Sequence, residues 1–121
     1  MYKVKTTVEI SAAHQLELDY ESPCRNLHGH NWKIDVYCRS KHVDRNGMVV
    51  DFTRIKSLVK TELDHKKLND VLTANPTAEN IAAFIAIRLN KMLGNAGSGA
   101  RCYRVDVEET PSNVATFECE E

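Results

Sequence analysis

The sequence predicts an α+β fold, in which a four-stranded antiparallel sheet carries two helices on one face in the chain order ββααββ. Two observations support this prediction. Four stretches alternate apolar and polar residues, as a strand with one buried face requires, and two stretches between the second and third strands repeat apolar residues at helical spacing. The length of 121 residues suits a single domain over residues 1–121, and the composition, 42% hydrophobic and 27% charged, is typical of a globular protein.

The first strand is predicted over residues 2–14, and counting along it by two places His14 at the end of its apolar face. The polar stretch 17–23 ends in a proline and is expected to form a loop. The second strand follows, and its apolar face begins with His28 and His30. The apolar faces of the two strands comprise Tyr2, Val4, Val8, Ile10 and Ala12 in the first, and Trp32, Ile34, Val36 and Cys38 in the second.

The two helices are delimited by turn and capping signals. The first follows an Asn-Gly turn, can be capped by Asp51 or Thr53, and should end near Leu63. The second begins after a proline with Thr77 as its cap, and Gly94 suits its end. Their apolar stripes are Ile55, Leu58, Val59 and Leu63 in the first helix, and Ile81, Phe84, Ile85 and Met92, with Leu89 at the margin, in the second.

Two further strands complete the predicted sheet. In the third, Tyr103, Val105 and Val107 share one face, and Glu109 continues that apolar stripe while Glu108 lies on the polar side. A carboxylate at the end of an apolar stripe needs a hydrogen-bonding partner, although a turn cap or a bulge that reverses the parity remains an alternative. The fourth strand, residues 114–119, is expected to bury Ala115, Phe117 and Cys119.

Three histidines, at positions 14, 28 and 30, extend the inward faces of two strands that are expected to be antiparallel neighbours. Three imidazoles with an open fourth position are typical of a catalytic zinc site, so the pattern predicts zinc held by His14, His28 and His30. Cys24 is either a further ligand or a nearby thiolate base. The competing interpretation is that a His-x-His pair is simply a surface or core feature.

A second pair of titratable residues, Asp64 and His65, follows the first helix. A carboxylate beside an imidazole can orient the ring and raise its basicity, which favours a role in proton transfer. Alternatively, His65 only interacts favourably with the negative end of the helix dipole.

Composition excludes several classes of function. The net charge of −1 gives no electrostatic footprint for nucleic acid, and no apolar run approaches the ~20 residues of a membrane span. The first residues lack the apolar core of a signal peptide, so a cytoplasmic protein with reduced thiols is expected. The four cysteines show no CxxC spacing, and Cys38, Cys102 and Cys119 are interpreted as small hydrophobic residues.

Six short motifs together resemble the 6-pyruvoyl-tetrahydropterin synthase superfamily over nearly the whole chain, and most closely its bacterial 6-carboxy-5,6,7,8-tetrahydropterin synthase branch of the queuosine pathway. The three residues between Cys24 and His28, and the short chain, are similar to that branch. The motifs are Ser11-Ala12-Ala13-His14, Cys24-x-x-x-His28-Gly29-His30, Val50-Asp51-Phe52, Leu63-Asp64-His65, Pro76-Thr77-Ala78-Glu79-Asn80 and Glu109-Thr110.

The resemblance implies the tunnelling fold, in which subunits join their sheets into a ring around a pore, and a hexamer of two stacked trimers. It implies 7,8-dihydroneopterin triphosphate as substrate and zinc as cofactor. The site residues that it implies are Cys24, Asp64 and His65 for catalysis, Glu109, Thr77 and Glu79 for the substrate, and His14, His28 and His30 for the metal. The alternatives are the sister reaction that stops at 6-pyruvoyl-tetrahydropterin and a non-catalytic module that binds zinc or a purine-like ligand.

Overall fold

The computed structural model describes residues 1–119 and confirms the predicted α+β architecture; residues 120 and 121 of the predicted domain lie outside the described chain. All four strands pair antiparallel in the order β1-β2-β3-β4. Two short 3-10 turns, Pro23–Arg25 and Leu68–Asp70, lie in the connections. The main elements are β1 (Tyr2–His14), β2 (His28–Ser40), α1 (Phe52–Leu63), α2 (Ala78–Asn95), β3 (Arg101–Thr110) and β4 (Asn113–Glu118).

The apolar face of the sheet forms one core with the helices, as the alternation predicts. Within β1, Val8 and Ile10 are buried, whereas Tyr2 is 52% exposed because it lies at the free end of the strand. Opposite them, Trp32, Ile34 and the rest of the β2 stripe are fully buried. None of the helices in the described part of the chain is long and apolar enough to span a membrane.

Helix α1 begins where its sequence signals place it, because the Asp51 side chain accepts a hydrogen bond from the Thr53 amide. After Leu63 the chain turns onto the outer edge of β1. There the Ser11 amide donates to Asp64 Oδ1 at 2.9 Å, and the His65 amide donates to the Ser11 carbonyl at 2.7 Å. These bonds fix the end of α1 against the edge of the sheet.

Helix α2 begins as predicted, since Thr77 Oγ1 accepts a hydrogen bond from the Asn80 amide at 3.1 Å. It continues past Gly94 to Asn95, and Gly97, not Gly94, adopts the left-handed backbone conformation with φ 69°. The buried stripe is also rotated relative to the prediction, because Leu89 is fully buried while Met92 is only partly covered. The fully or nearly fully buried residues are Ile81, Ala82, Ile85, Ala86, Leu89 and Leu93.

A β-bulge in β3 overturns the predicted position of Tyr103. Tyr37 pairs with Arg104, but Cys38 pairs with Cys102, so Tyr103 is the extra residue. Cys102 therefore enters the core, where a hydrogen bond with Cys38 and burial both raise the pKa of its thiol. The Tyr103 ring instead lies 6.0 Å from the Tyr37 ring, between centroids. Beyond the bulge, Val105 and Val107 are buried as predicted.

Candidate metal centre

Three imidazoles meet at the end of the β1–β2 hairpin, on the face of the sheet that packs against the helices. His14 pairs with His28, and Ala12 pairs with His30, so strand register alone brings the rings together. One ring nitrogen from each histidine lies within 4.8 Å of the other two. His14 is fully buried, and the other two rings are partly covered. The predicted three-histidine cluster is therefore present in the fold.

Two of these rings are held in a defined tautomer by backbone carbonyls. His14 Nδ1 lies 2.7 Å from the Pro76 carbonyl oxygen, and His28 Nδ1 lies 2.7 Å from the Asn26 carbonyl oxygen. Because a carbonyl can only accept a hydrogen bond, each Nδ1 must carry the proton. In the neutral rings Nε2 is then the atom with the free lone pair, which is the form that binds a metal.

The two lone-pair atoms face each other at short range. His14 Nε2 and His28 Nε2 are 2.9 Å apart, which is repulsive for two neutral rings unless a proton or a metal ion lies between them. Burial lowers the pKa of His14, which opposes the extra proton. His30 Nε2 is also buried and has no hydrogen-bond partner within residues 1–119. This donor set fits a divalent metal, and imidazole nitrogen is a ligand that zinc accepts readily.

A carboxylate adjoins the cluster. Glu109 Oε1 lies 3.5 Å from His30 Nε2, and Glu109 Oε2 lies 4.0 Å from His14 Nε2. Glu108, which pairs with Lys33, is the last residue of β3 paired with β2, and β3 shifts register against β4 between Glu108 and Thr110. The contacts with His30 and His14 place Glu109 on the histidine face despite this irregularity, and its expected contact with a substrate stays a prediction.

Trp32 forms the floor of the cluster. Its side chain is fully buried, and its ring centroid lies 4.9 Å from that of His14 and 5.1 Å from that of His30. Its Nε1–H donates to the Ala12 carbonyl at 3.1 Å, so the indole has its polar atom satisfied. A rigid apolar surface thus limits the motion of two of the imidazoles.

Cys24 lies in the short turn Pro23–Arg25, partly covered, and it does not belong to the group of converging ligand atoms. The turn is tied to the chain after β1, because the Leu16 amide donates to the Cys24 carbonyl at 3.0 Å. The Ser22 hydroxyl also accepts a hydrogen bond from the Cys24 amide at 3.2 Å. The thiol is therefore not one of the converging ligand atoms, and its role as a base stays a prediction.

Asp64 and His65 form a pair at the outer edge of β1, with 3.4 Å between Asp64 Oδ2 and His65 Nε2. The His65 side chain is 81% exposed, and its backbone is left-handed, with φ 58°. Such a conformation is uncommon for a residue other than glycine and occurs often at functional sites. Within residues 1–119 no hydrogen bond or ion pair joins Cys24 to either member of this pair, and their joint role in catalysis stays a prediction.

The remaining predicted substrate residues lie at the start of α2. The Pro76 carbonyl that orients His14 immediately precedes Thr77, so this end of the helix adjoins the cluster. The Thr77 hydroxyl oxygen accepts the capping bond and still has a proton to donate. Glu79, in the first turn, is exposed. The sequence did not reveal the orienting carbonyls of Pro76 and Asn26, because any residue can supply a backbone oxygen.

The four-stranded antiparallel sheet with two helices is the tunnelling fold, and three of its histidines could form a metal site. The sequence profile of the 6-pyruvoyl tetrahydropterin synthase family matches residues 3–120, and the chain belongs to this family.

Three relatives illustrate the likeness. The 6-carboxy-5,6,7,8-tetrahydropterin synthase of Synechocystis is 37% identical over 126 residues, with 97% of this chain and 93% of the relative covered. A putative enzyme of the same description from Pyrococcus abyssi is 34% identical over 142 residues, covering 93% and 87% of the two chains. The structure of 6-pyruvoyl tetrahydropterin synthase from Caenorhabditis elegans is 30% identical, has a TM-score of 0.77, and is matched over 98% of this chain and 96% of its own.

Proposed function

We propose that this protein is a zinc-dependent carbon–carbon lyase that converts 7,8-dihydroneopterin triphosphate to 6-carboxy-5,6,7,8-tetrahydropterin, with release of acetaldehyde and triphosphate, in queuosine biosynthesis. The observation that carries the proposal is the convergence of three imidazoles, two of them with Nε2 lone pairs set by backbone carbonyls. The relatives from Synechocystis and Pyrococcus abyssi carry the name of this reaction and support the choice of product.

His14, His28 and His30 would hold the zinc, and three protein ligands would leave at least one position for a ligand from outside the protein. Zinc bound there supplies Lewis-acid polarisation of substrate oxygens, which makes the neighbouring C–H bonds more acidic. The carbonyls of Pro76 and Asn26 keep two of the rings in the metal-binding tautomer.

Proton transfer would belong to Cys24, Asp64 and His65. A free thiol has a pKa of about 8.5 and is a weak base at neutral pH unless a neighbouring group lowers it. His65, oriented by Asp64 at 3.4 Å, is the proposed partner and proton relay for the Cys24 thiolate. Because no hydrogen bond or ion pair joins Cys24 to this pair within residues 1–119, we propose that neighbouring subunits bring the groups together.

We therefore also propose a homo-oligomer, a hexamer of two stacked trimers. Strands β1 and β4 are the outer strands of the described sheet, and an outer strand offers backbone groups that a second copy can pair with. The segment after α1 makes backbone contacts with β1 at Ser11 and Ala13. Sedimentation equilibrium of the purified protein measures the number of subunits, and a stable monomer would contradict both the hexamer and the shared site.

Substrate binding would use Glu109, with Thr77 and Glu79 lining the pocket. A carboxylate can accept two hydrogen bonds from the amide and amino edge of a pterin, and charge-assisted bonds of this kind are strong. Glu109 is three-quarters covered and lies on the metal side of the sheet, where a substrate on the zinc would be in reach. We further propose that residues 1–121 act as one domain in the cytoplasm, without nucleic acid or membrane partners.

The decisive experiment is incubation of the zinc-loaded protein with 7,8-dihydroneopterin triphosphate, followed by mass analysis of every product. Acetaldehyde together with 6-carboxytetrahydropterin is the expected result. Formation of 6-pyruvoyl-tetrahydropterin without acetaldehyde would instead assign the sister reaction, which the name of the Caenorhabditis elegans relative suggests. No consumption of substrate would favour a non-catalytic zinc-binding or purine-binding module.

A further inference from the structure

The carboxylate of Glu109 lies beside the three-histidine cluster, although it is not part of the group whose ligand atoms all lie within 4.8 Å of one another. Its two oxygens lie 3.5 Å from His30 Nε2 and 4.0 Å from His14 Nε2, and Glu109 comes from β3, not from the hairpin that carries the histidines. Because Zn–N and Zn–O bonds are about 2.0–2.2 Å long, two ligands of a tetrahedral zinc lie about 3.4 Å apart. The oxygens of Glu109 are therefore close to ligand spacing from two of the histidines.

The Nδ1 proton of His14 does not account for this approach. The Nδ1–H of His14 is used by the Pro76 carbonyl, so in the neutral ring its Nε2 lone pair faces the carboxylate. His30 Nε2 makes no hydrogen bond within residues 1–119, although a Glu109 oxygen is 3.5 Å away. A carboxylate beside lone pairs is repelled unless a cation lies between them. An anion and three neutral imidazoles together form a good site for a divalent cation.

We propose that Glu109 is a fourth protein ligand of the metal in the resting protein, and that it is a displaceable one. The displacement rests on the proposed function, in which the same carboxylate accepts hydrogen bonds from the pterin edge. Hydrogen bonds from both pterin N–H groups draw on the same carboxylate oxygens and weaken their donation to the metal, so we infer that arrival of the substrate moves Glu109 off the metal. That movement opens a position on the metal only when a pterin is present. In the absence of substrate, Glu109 therefore keeps water and small anions off the metal.

The resting ligand is tested on cobalt-substituted and zinc-loaded protein, without any turnover assay. Glu109→Gln removes the anionic ligand at nearly constant volume, and Glu108→Gln is the matched control on the opposite face. We expect Glu109→Gln to weaken zinc binding by at least about tenfold in a chelator competition, to change the visible spectrum of the cobalt protein, and to tighten azide binding to the cobalt. Glu108→Gln should behave as wild type in all three measurements.

Two outcomes overturn the inference. Equal zinc affinity and identical cobalt spectra in wild type and Glu109→Gln would show that Glu109 does not touch the metal. Weaker zinc binding with an unchanged cobalt spectrum would show that it acts only as a nearby charge. If Glu109→Gln does not fold, Glu109→Asp takes its place, because it keeps the charge on a shorter side chain. A cobalt spectrum of Glu109→Asp identical to that of the wild type would then overturn the inference. Failure of the proposed reaction would appear separately, as absence of pterin products with these metal results intact.

Discussion

Zinc should stabilise the folded protein strongly, because its three imidazole ligands meet only when β1 pairs with β2. A ligand that binds only the native state adds RT ln(1 + [L]/Kd) to the free energy of unfolding. At a free zinc concentration one hundred times the Kd, this addition is about 2.7 kcal/mol.

The corresponding shift of the melting temperature follows from the length of the chain. With an unfolding entropy of about 2.1 cal/mol/K per residue, the 121 residues give about 0.25 kcal/mol/K. Zinc at one hundred times the Kd should therefore raise Tm by roughly 11 °C. Each further tenfold increase in free zinc should add about 1.4 kcal/mol, or about 5 °C. Differential scanning calorimetry in zinc buffers measures this series directly.

A pair of histidine variants makes the test specific. His28→Gln removes one converging Nε2 and should abolish most of the shift, whereas His42→Gln changes an exposed histidine outside the cluster and should keep it. An equal shift in the two variants would refute the assignment of the site. A wild-type protein whose Tm does not respond to zinc would refute the metal-binding argument altogether.

Three further outcomes are expected. Cys24→Ala and His65→Ala should keep the fold and the bound zinc but lose roughly 10²–10⁴-fold in turnover, as expected when an acid–base group is removed. Near-normal turnover of Cys24→Ala would disprove the role of this thiol as the base. Burial lowers the pKa of His14 from its usual 6.5, so the folded metal-free protein binds fewer protons than the unfolded chain does. The free energy of unfolding, measured in urea, should therefore be at its full value above pH 6.5 and decrease as the pH falls through the lowered pKa. A free energy of unfolding that does not change over this pH range would contradict the linkage. Gly29→Ala should leave the zinc content unchanged in metal analysis, because within the described chain an added Cβ would meet the Ala12 carbonyl oxygen at 3.8 Å, an ordinary contact distance. Loss of zinc would show that another group, such as a neighbouring subunit, approaches Gly29 more closely.

Much of the fold could be predicted because a half-buried strand alternates apolar and polar residues along the sequence. The alternation located β1 and β2 and brought His14, His28 and His30 to one face. The position of Tyr103 could not be predicted, because no residue type in β3 signals the bulge that adds one residue to this strand. Cys102 is apolar enough to occupy the core position instead. Parity beyond the bulge was recovered because Val105 and Val107 restart the pattern.

The sequence predicted which side chains belong to the candidate site, but it did not predict which of them contact one another. The parity of β3 identified Glu109 over Glu108, yet its closeness to His30 depends on the register between β2 and β3, which one strand's sequence does not specify. The exposed position of His65 has a similar cause, since the left-handed turn after α1 is stabilised by bonds to the edge of β1. Long-range pairing decides both, and local pattern cannot reveal it.

Trp32 is the only tryptophan of the chain, and it is fully buried against His14 and His30. Its fluorescence therefore comes from a single indole whose nearest aromatic neighbours are two of the proposed zinc ligands. A divalent cation bound to these rings would change the electric field at the indole, and indole emission responds to the field around the ring. The molecule thus carries an intrinsic optical reporter of metal occupancy, which allows zinc binding to be followed in real time on the unlabelled protein.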